Sequence, residues 1–181
     1  AVVATLTSGN ATGQGGSTIT QQLARNAFLT QEQTLKRKLL EVVLAFEIES
    51  KYTKKQILEM YMNQIYFGQG CYGIQTAAHV YFGKDVKDLS LSQCAMLAGL
   101  PNSPNYYSPF RSLEAAKYRQ GIVLDQMAKY GYISATDAQA AKAADVHLAK
   151  QDKGKSGAGT AQYFINYVIQ SISAKYDSDA I

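Results

Sequence analysis

All three prolines of this chain, Pro101, Pro104 and Pro109, fall within nine residues of one another. Everything on either side is free of the residue that most strongly breaks a helix, and there the apolar residues recur with helical spacing. Leu35, Leu39, Val42, Val43 and Phe46 draw one apolar stripe, which predicts a helix from about residue 33 to 50 with that stripe on the core. Thr53-x-x-Gln56 reads as a capping box opening the next helix, with Ile57, Leu58, Tyr61, Met62 and Ile65 on its buried side. Gly68, Gly70 and Gly73 then break the period in a tight irregular turn. A short helix around 74–82 ends at Gly83, and Ser90-x-x-Gln93 opens another that stops at Gly99. The proline cluster follows as an extended loop. Ser112 is expected to cap a helix running to about residue 130 and closed by Gly131, and Ser134 or Thr136 to start another reaching Ala144. No alternating strand pattern runs beyond a few residues, so the fold class read from the sequence is all-α.

A chain of 181 residues fits one domain, or one domain with a tail. An apolar share of 46% against 18% charged excludes global disorder. No apolar run reaches the roughly 18 residues that a membrane span needs, and the opening AVVATLTSGNATG has no basic region followed by an apolar core, so no secretory signal is visible. The formal charge of +4 is spread evenly: nine basic and seven acidic residues up to residue 90, and the same numbers after it. That balance argues against a dedicated nucleic-acid binder, which needs a clustered basic face. Locally, residues 25–55 hold Arg25, Lys36, Arg37, Lys38, Lys51, Lys54 and Lys55 against four acids, enough positive field for a phosphate group but short for a polymer. Two cysteines, Cys71 and Cys94, and two histidines, His79 and His147, stand in no metal-ligand spacing.

Four segments could carry chemistry. In GQGGSTITQQLARN, a glycine-rich start is followed by Ser17, Thr18, Thr20, Gln21, Gln22 and Asn26, with no charge until Arg25. This is either a loop with Ser17 or Thr18 as a helix N-cap, or a set of hydroxyl, amide and backbone N–H donors for a sugar or phosphate. In LKRKLLEVVLAFEIE, helical geometry sets Arg37, Glu41 and Ile48 opposite the apolar stripe, with Ala45 beside Glu41 and Lys38 on the flank. Glu41 thus has cations one turn back. On an exposed helix such pairs contribute roughly 0.3–0.5 kcal/mol or less. Inside a site, two adjacent cations favour the ionised carboxylate, which suits orienting cations or stabilising a developing positive charge rather than general-acid work. The third segment, KKQILEMYMNQIYFGQG, gathers Glu59, Tyr61, Asn63, Tyr66 and Gly68, with Tyr61 on the core stripe. The fourth, AAHVYFGKDVKDLSLSQCAMLAGLPNSPNYYSP, reads as helix, turn, helix, loop. The uncharged stretches Met60–Gly83 and Leu89–Phe110 are candidates for a membrane-facing surface as well as for core.

Taken in order, these four segments resemble the second to fifth motifs of one family, the peptidoglycan glycosyltransferases (glycosyltransferase family 51) of class A penicillin-binding proteins and their monofunctional relatives. The resemblance runs from about residue 9 to 145. It implies a lysozyme-like, helical, bilobal glycosyltransferase domain at the extracytoplasmic face of the cell membrane. It implies polymerisation of lipid II, with inversion at the anomeric carbon and release of undecaprenyl diphosphate, through a sugar centre of oxocarbenium character. The partners it implies are lipid II, the growing glycan chain, the membrane surface and other cell-wall synthesis proteins, with no nucleic acid. Residue by residue, Glu41 matches the family's second essential carboxylate, and Arg37 and Lys38 the cations that handle the diphosphate. Ser17, Thr18, Gln22, Arg25 and Asn26 match the residues lining the donor site, Arg25 standing where lysine is usual. Glu41 and a diphosphate could together hold a divalent cation, Mg or Mn; no other cofactor is implied.

The family's first motif, Glu-Asp-x-x-Phe-x-x-His, supplies the general base and does not occur in this chain. The resemblance places it upstream of residue 1. Residues 1–145 are therefore expected to form a glycosyltransferase domain lacking that motif, and residues 1–181 alone to show no useful polymerisation. Residues 146–160, including QDKGKSGAGT, have the composition of a flexible linker. Phe164, Val168 and Ile172 in residues 161–181 suggest a helical stripe in a segment leading toward a transpeptidase domain, and so a bifunctional parent. The alternative is a non-catalytic helical module that binds a lipid-linked sugar or a partner protein.

Overall fold

The computed structural model describes residues 17–28 and 34–150. Among them run seven α-helices: α1 (Ile19–Phe28), α2 (Leu35–Lys51), α3 (Lys54–Gln64), α4 (Ile74–Phe82), α5 (Leu91–Gly99), α6 (Leu113–Lys129) and α7 (Ala135–Ala143). Short 3-10 turns occupy Val86–Asp88 and Leu100–Asn102. No strand occurs among the described residues, only an antiparallel bridge between Tyr66 and Tyr72. The all-α expectation is met. The expectations for the segment ahead of Ser17, for the 151–160 linker and for the 164–172 stripe lie outside the described residues.

Helix starts follow the capping chemistry read from the sequence. Thr53 and Gln56 close a capping box on α3, and Ser90 and Gln93 do the same on α5. Ser112 caps α6, and Ser134, not Thr136, caps α7 in a box with Asp137. Two helix ends are set by left-handed glycines, Gly83 at φ 65° after α4 and Gly131 at φ 75° after α6. The proline cluster departs from its expectation. Pro101 sits in the first turn of a 3-10 helix rather than in extended chain, because its fixed φ and missing N–H are harmless there.

The chain divides into two compact units, one ending at Ile65 and one beginning at Tyr66. In the first, α1 packs on α2 and α3 through Leu23, Ala24, Ile48 and Ile57, with Leu44 and Met60 at the margin. Here the sequence expectation is corrected. The buried residues of α2 are Glu41, Ala45 and Ile48, whereas Leu35, Leu39, Val43 and Phe46 of the apolar stripe are exposed. Counting apolar residues pointed the helix the wrong way. Small Ala45 lets α2 come close to its neighbours, and the one charge on that face is compensated by its own cations. On α3 the expected stripe is only half right, since Ile57 and Ile65 are buried but Leu58 is exposed.

In the second unit, α5, α6 and α7 enclose Ala95, Leu124, Ala138 and Ala141. The fully buried Gln120 of α6 donates its amide to the Ser92 carbonyl (2.7 Å) and hydroxyl (2.8 Å) of α5, so this polar group inside the core is satisfied. Both uncharged stretches contribute to the core, where Phe67, Ala77, Ala78, Tyr81, Ala95, Met96, Leu97 and Leu100 are all buried.

Candidate active site

Thr18 is the N-cap of α1: its hydroxyl accepts from the Gln21 backbone N–H at 3.1 Å, and Gln21 Oε1 accepts from the Thr18 N–H at 3.2 Å. The open choice between Ser17 and Thr18 is thereby decided, and Ser17 stands just ahead of the helix with its hydroxyl free for other work. Gln22, one turn on, donates its Nε2 to the Ser17 carbonyl at 3.3 Å.

The first turn of α2 reads Leu35, Lys36, Arg37, Lys38 behind the cap Thr34. Three cations at a helix N-terminus oppose the helix dipole, which favours acids there. Their position does nothing for the helix and points to another purpose. Lys38 Nζ donates to Glu41 Oε2 at 2.8 Å and to Ser17 Oγ at 2.7 Å. Arg37 Nη1 lies 3.3 Å from Glu41 Oε1. The Glu41 side chain is 0% exposed, against 14% for Arg37 and 40% for Lys38. The reading of this trio as a surface ion pair is overturned by that burial. A carboxylate removed from water without these partners would lose several kcal/mol of solvation.

The cluster is paired but not saturated. Arg37 Nε and Glu41 Oε1 are buried with no hydrogen-bond partner among the described residues. Lys38 has three N–H donors and spends two. Ser17 Oγ accepts from Lys38, which leaves its own proton to donate. Two cations, one carboxylate and several uncommitted donors converge on one place with a net positive charge, a combination suited to an oxyanion of more than one charge.

The structure therefore brings together Ser17, Gln22, Arg37, Lys38 and Glu41. Thr18 is adjacent, with its hydroxyl committed to capping. Arg25 and Asn26 stand further along α1 and make no hydrogen bond to the cluster among the described residues; Asn26 is exposed. Sequence reasoning assigned Tyr61 to the core stripe. It is half-buried, and its hydroxyl donates to Gln22 Oε1 at 3.3 Å, a polar tip whose need for a partner was the available signal. Thr20, among the candidate donors of the glycine-rich segment, is buried on α1 and donates to Glu49 Oε1 of α2 at 2.6 Å, so its hydroxyl is committed to packing the two helices.

A divalent cation does not fit these residues as a protein-held centre. Such an ion wants several oxygen ligands, yet both Glu41 oxygens already face cations, and no group of three His, Cys, Asp or Glu side chains is placed to hold a metal among the described residues. Burial pushes the thiols of Cys71 and Cys94 up, away from the reactive thiolate.

Residues 1–128 match the family model described as transglycosylase. The chain is 47% identical over 163 residues to penicillin-binding protein 1A of Aquifex aeolicus and 46% identical over 165 residues to penicillin-binding protein 1F of Bacillus subtilis, in each case over 90% of this chain and 22% of the relative. Penicillin-binding protein 1A of Escherichia coli is 52% identical over 129 residues, 71% of this chain and 15% of that protein. The crystal structure of penicillin-binding protein 1A from Haemophilus influenzae aligns with a TM-score of 0.53 at 26% identity, over 88% of this chain and 20% of that one. The chain thus spans 22% or less of the length of these curated relatives. On the family match and these identities, the chain belongs to the transglycosylase family of the penicillin-binding proteins.

Proposed function

We propose that this chain is the glycosyl-transferring part of a peptidoglycan synthase, acting on lipid II and a growing glycan at the outer face of the cell membrane. In the reaction the C4 hydroxyl of one lipid-linked sugar attacks the anomeric carbon of another from the side opposite its diphosphate. The bond from that carbon to the diphosphate oxygen breaks, its electron pair leaving with undecaprenyl diphosphate. The hydroxyl proton passes to a general base that Glu41, paired to two cations, is poorly suited to be. Negative charge accumulates on the departing diphosphate, and cationic donors aimed there stabilise the transition state more than the ground state.

Arg37 and Lys38 are those donors in this reading, with Ser17 adding a hydroxyl. Glu41 fixes their direction and keeps negative charge near a sugar centre that becomes positive. The observation that carries the reading is the fully buried Glu41 held between Lys38 at 2.8 Å and Arg37 at 3.3 Å, with donor capacity left over. Glu41→Gln in the protein as the cell makes it is expected to lower lipid II polymerisation at least about 100-fold while inorganic pyrophosphate still binds. Polymerisation within threefold or so of the parent would refute the assignment.

A lipid-linked substrate also requires access to the bilayer surface. The exposed residues Leu35, Leu39, Val43 and Phe46 of α2 offer an apolar stripe on the helix that carries Arg37 and Lys38. No helix among the described residues is long and apolar enough to cross a membrane.

A further inference from the structure

Four hydrogen bonds link α3 to the ion cluster of α2, passing through Ser17 from its backbone carbonyl to its hydroxyl. The Tyr61 hydroxyl meets Gln22 Oε1 at 3.3 Å, Gln22 Nε2 meets the Ser17 carbonyl at 3.3 Å, Lys38 Nζ meets Ser17 Oγ at 2.7 Å, and the same Nζ meets Glu41 Oε2 at 2.8 Å. Donor and acceptor roles in this run are forced. A backbone carbonyl only accepts, so Gln22 must turn its NH2 toward Ser17 and its oxygen toward Tyr61. Facing an oxygen that only accepts, Tyr61 must donate. Burial raises the phenol above its ordinary range, so the donor proton is retained at neutral pH.

Ser17 precedes the first turn of α1, and among the described residues its carbonyl accepts from the Gln22 side chain and from no helical N–H. The Gln22 amide holds it to α1, and the Gln22 amide is itself oriented by Tyr61. We infer that Tyr61 is a positioning residue for anion binding: through Gln22 it sets the place of Ser17, and through the Ser17 hydroxyl the direction in which Lys38 presents its remaining N–H to a diphosphate. In this arrangement the Tyr61 hydroxyl acts through Gln22. The inference rests on the proposed reading of Lys38 as a diphosphate ligand. Polar chains of this kind act as units, so removal of one link is felt at the far end.

The test is calorimetric titration of residues 1–181 with inorganic pyrophosphate, for the parent, Tyr61→Phe, Gln22→Ala, the double variant and Lys38→Ala. Tyr61→Phe keeps the ring and its packing, so helix content and the thermal midpoint should stay close to the parent. Its pyrophosphate affinity should fall threefold to tenfold. In the Gln22→Ala background the same substitution should change affinity by less than about 1.5-fold, since its route to Ser17 is already cut. Gln22→Met, neutral and of similar length but with neither an acceptor for Tyr61 nor an N–H for the Ser17 carbonyl, should weaken binding as Tyr61→Phe does, and unchanged affinity there overturns the inference should Tyr61→Phe fold poorly. Unchanged affinity in Tyr61→Phe, or an equal loss with and without Gln22, overturns the inference. Should Lys38→Ala bind pyrophosphate as well as the parent, the functional reading itself falls, a result distinct from failure of the Tyr61 link alone.

Discussion

At the scale of single residues, Glu41 joins stability to the proposed function. Its carboxylate is the compensating charge for a nearly buried guanidinium, so Glu41→Ala strands Arg37 and is expected to destabilise the first unit by about 3 kcal/mol. Urea unfolding would show this as a lower midpoint at unchanged slope; equal midpoints for the two chains would mean the pair is solvated and the cluster misread. Gly68 is decided by space and backbone together. It sits at φ 87°, and a Cβ there would lie 2.9 Å from the Pro104 carbonyl oxygen and 3.0 Å from the Tyr81 hydroxyl. Gly68→Ala therefore meets both a left-handed backbone and a rigid neighbour, and about 2 kcal/mol or more of destabilisation is expected by the same unfolding measurement. A loss under about 0.5 kcal/mol would show that the turn relaxes.

At the scale of elements, the helix boundaries were legible and one helix face was not. Thr53, Ser90, Ser112 and Ser134 act within four residues of their own position, so local chemistry suffices to find them. The rotation of α2 depends on what α1 and α3 present to it. Five large apolar residues outweighed Ala45 and Ile48 in the sequence, and the pairing that makes Glu41 buriable is invisible to a hydropathy count. The exposed side of α2 then has a testable consequence. Leu39→Asp, at a side chain 69% exposed, should leave the thermal midpoint nearly unchanged while reducing flotation with anionic liposomes severalfold. Loss of folding instead would place Leu39 in the core, as the sequence alone suggested. In the site, Arg37, Lys38 and Glu41 were legible because helical spacing fixes them on one turn. Ser17, 21 residues from Lys38, was legible through the family resemblance. Tyr61 lies 39 residues from Gln22, and helical spacing pointed it to the core.

At the scale of the whole molecule, stability should decline at alkaline pH. In the second unit the Tyr81 hydroxyl donates to the Phe67 carbonyl at 2.9 Å, and burial pushes that phenol up to about 12. An unfolded tyrosine loses its proton near pH 10. Between these values the unfolded state holds fewer protons than the folded one, so stability present below about pH 10 is lost as pH rises toward 12. Tyr81→Phe should flatten that alkaline decline, and an undiminished slope in the variant would assign it elsewhere. The charge pattern is also a whole-molecule property: the excess of +4 is spread evenly along the sequence, so the anion binding proposed for this chain rests on the local cations Arg37 and Lys38. The direct test of the account is the affinity of residues 1–181 for inorganic pyrophosphate, compared with Arg37→Ala and Lys38→Ala at fixed salt. Saturable one-to-one binding is expected, weakened at least about tenfold in each variant, the size of one charge-assisted hydrogen bond. Absence of saturable binding, or equal affinity in all three proteins, would contradict it.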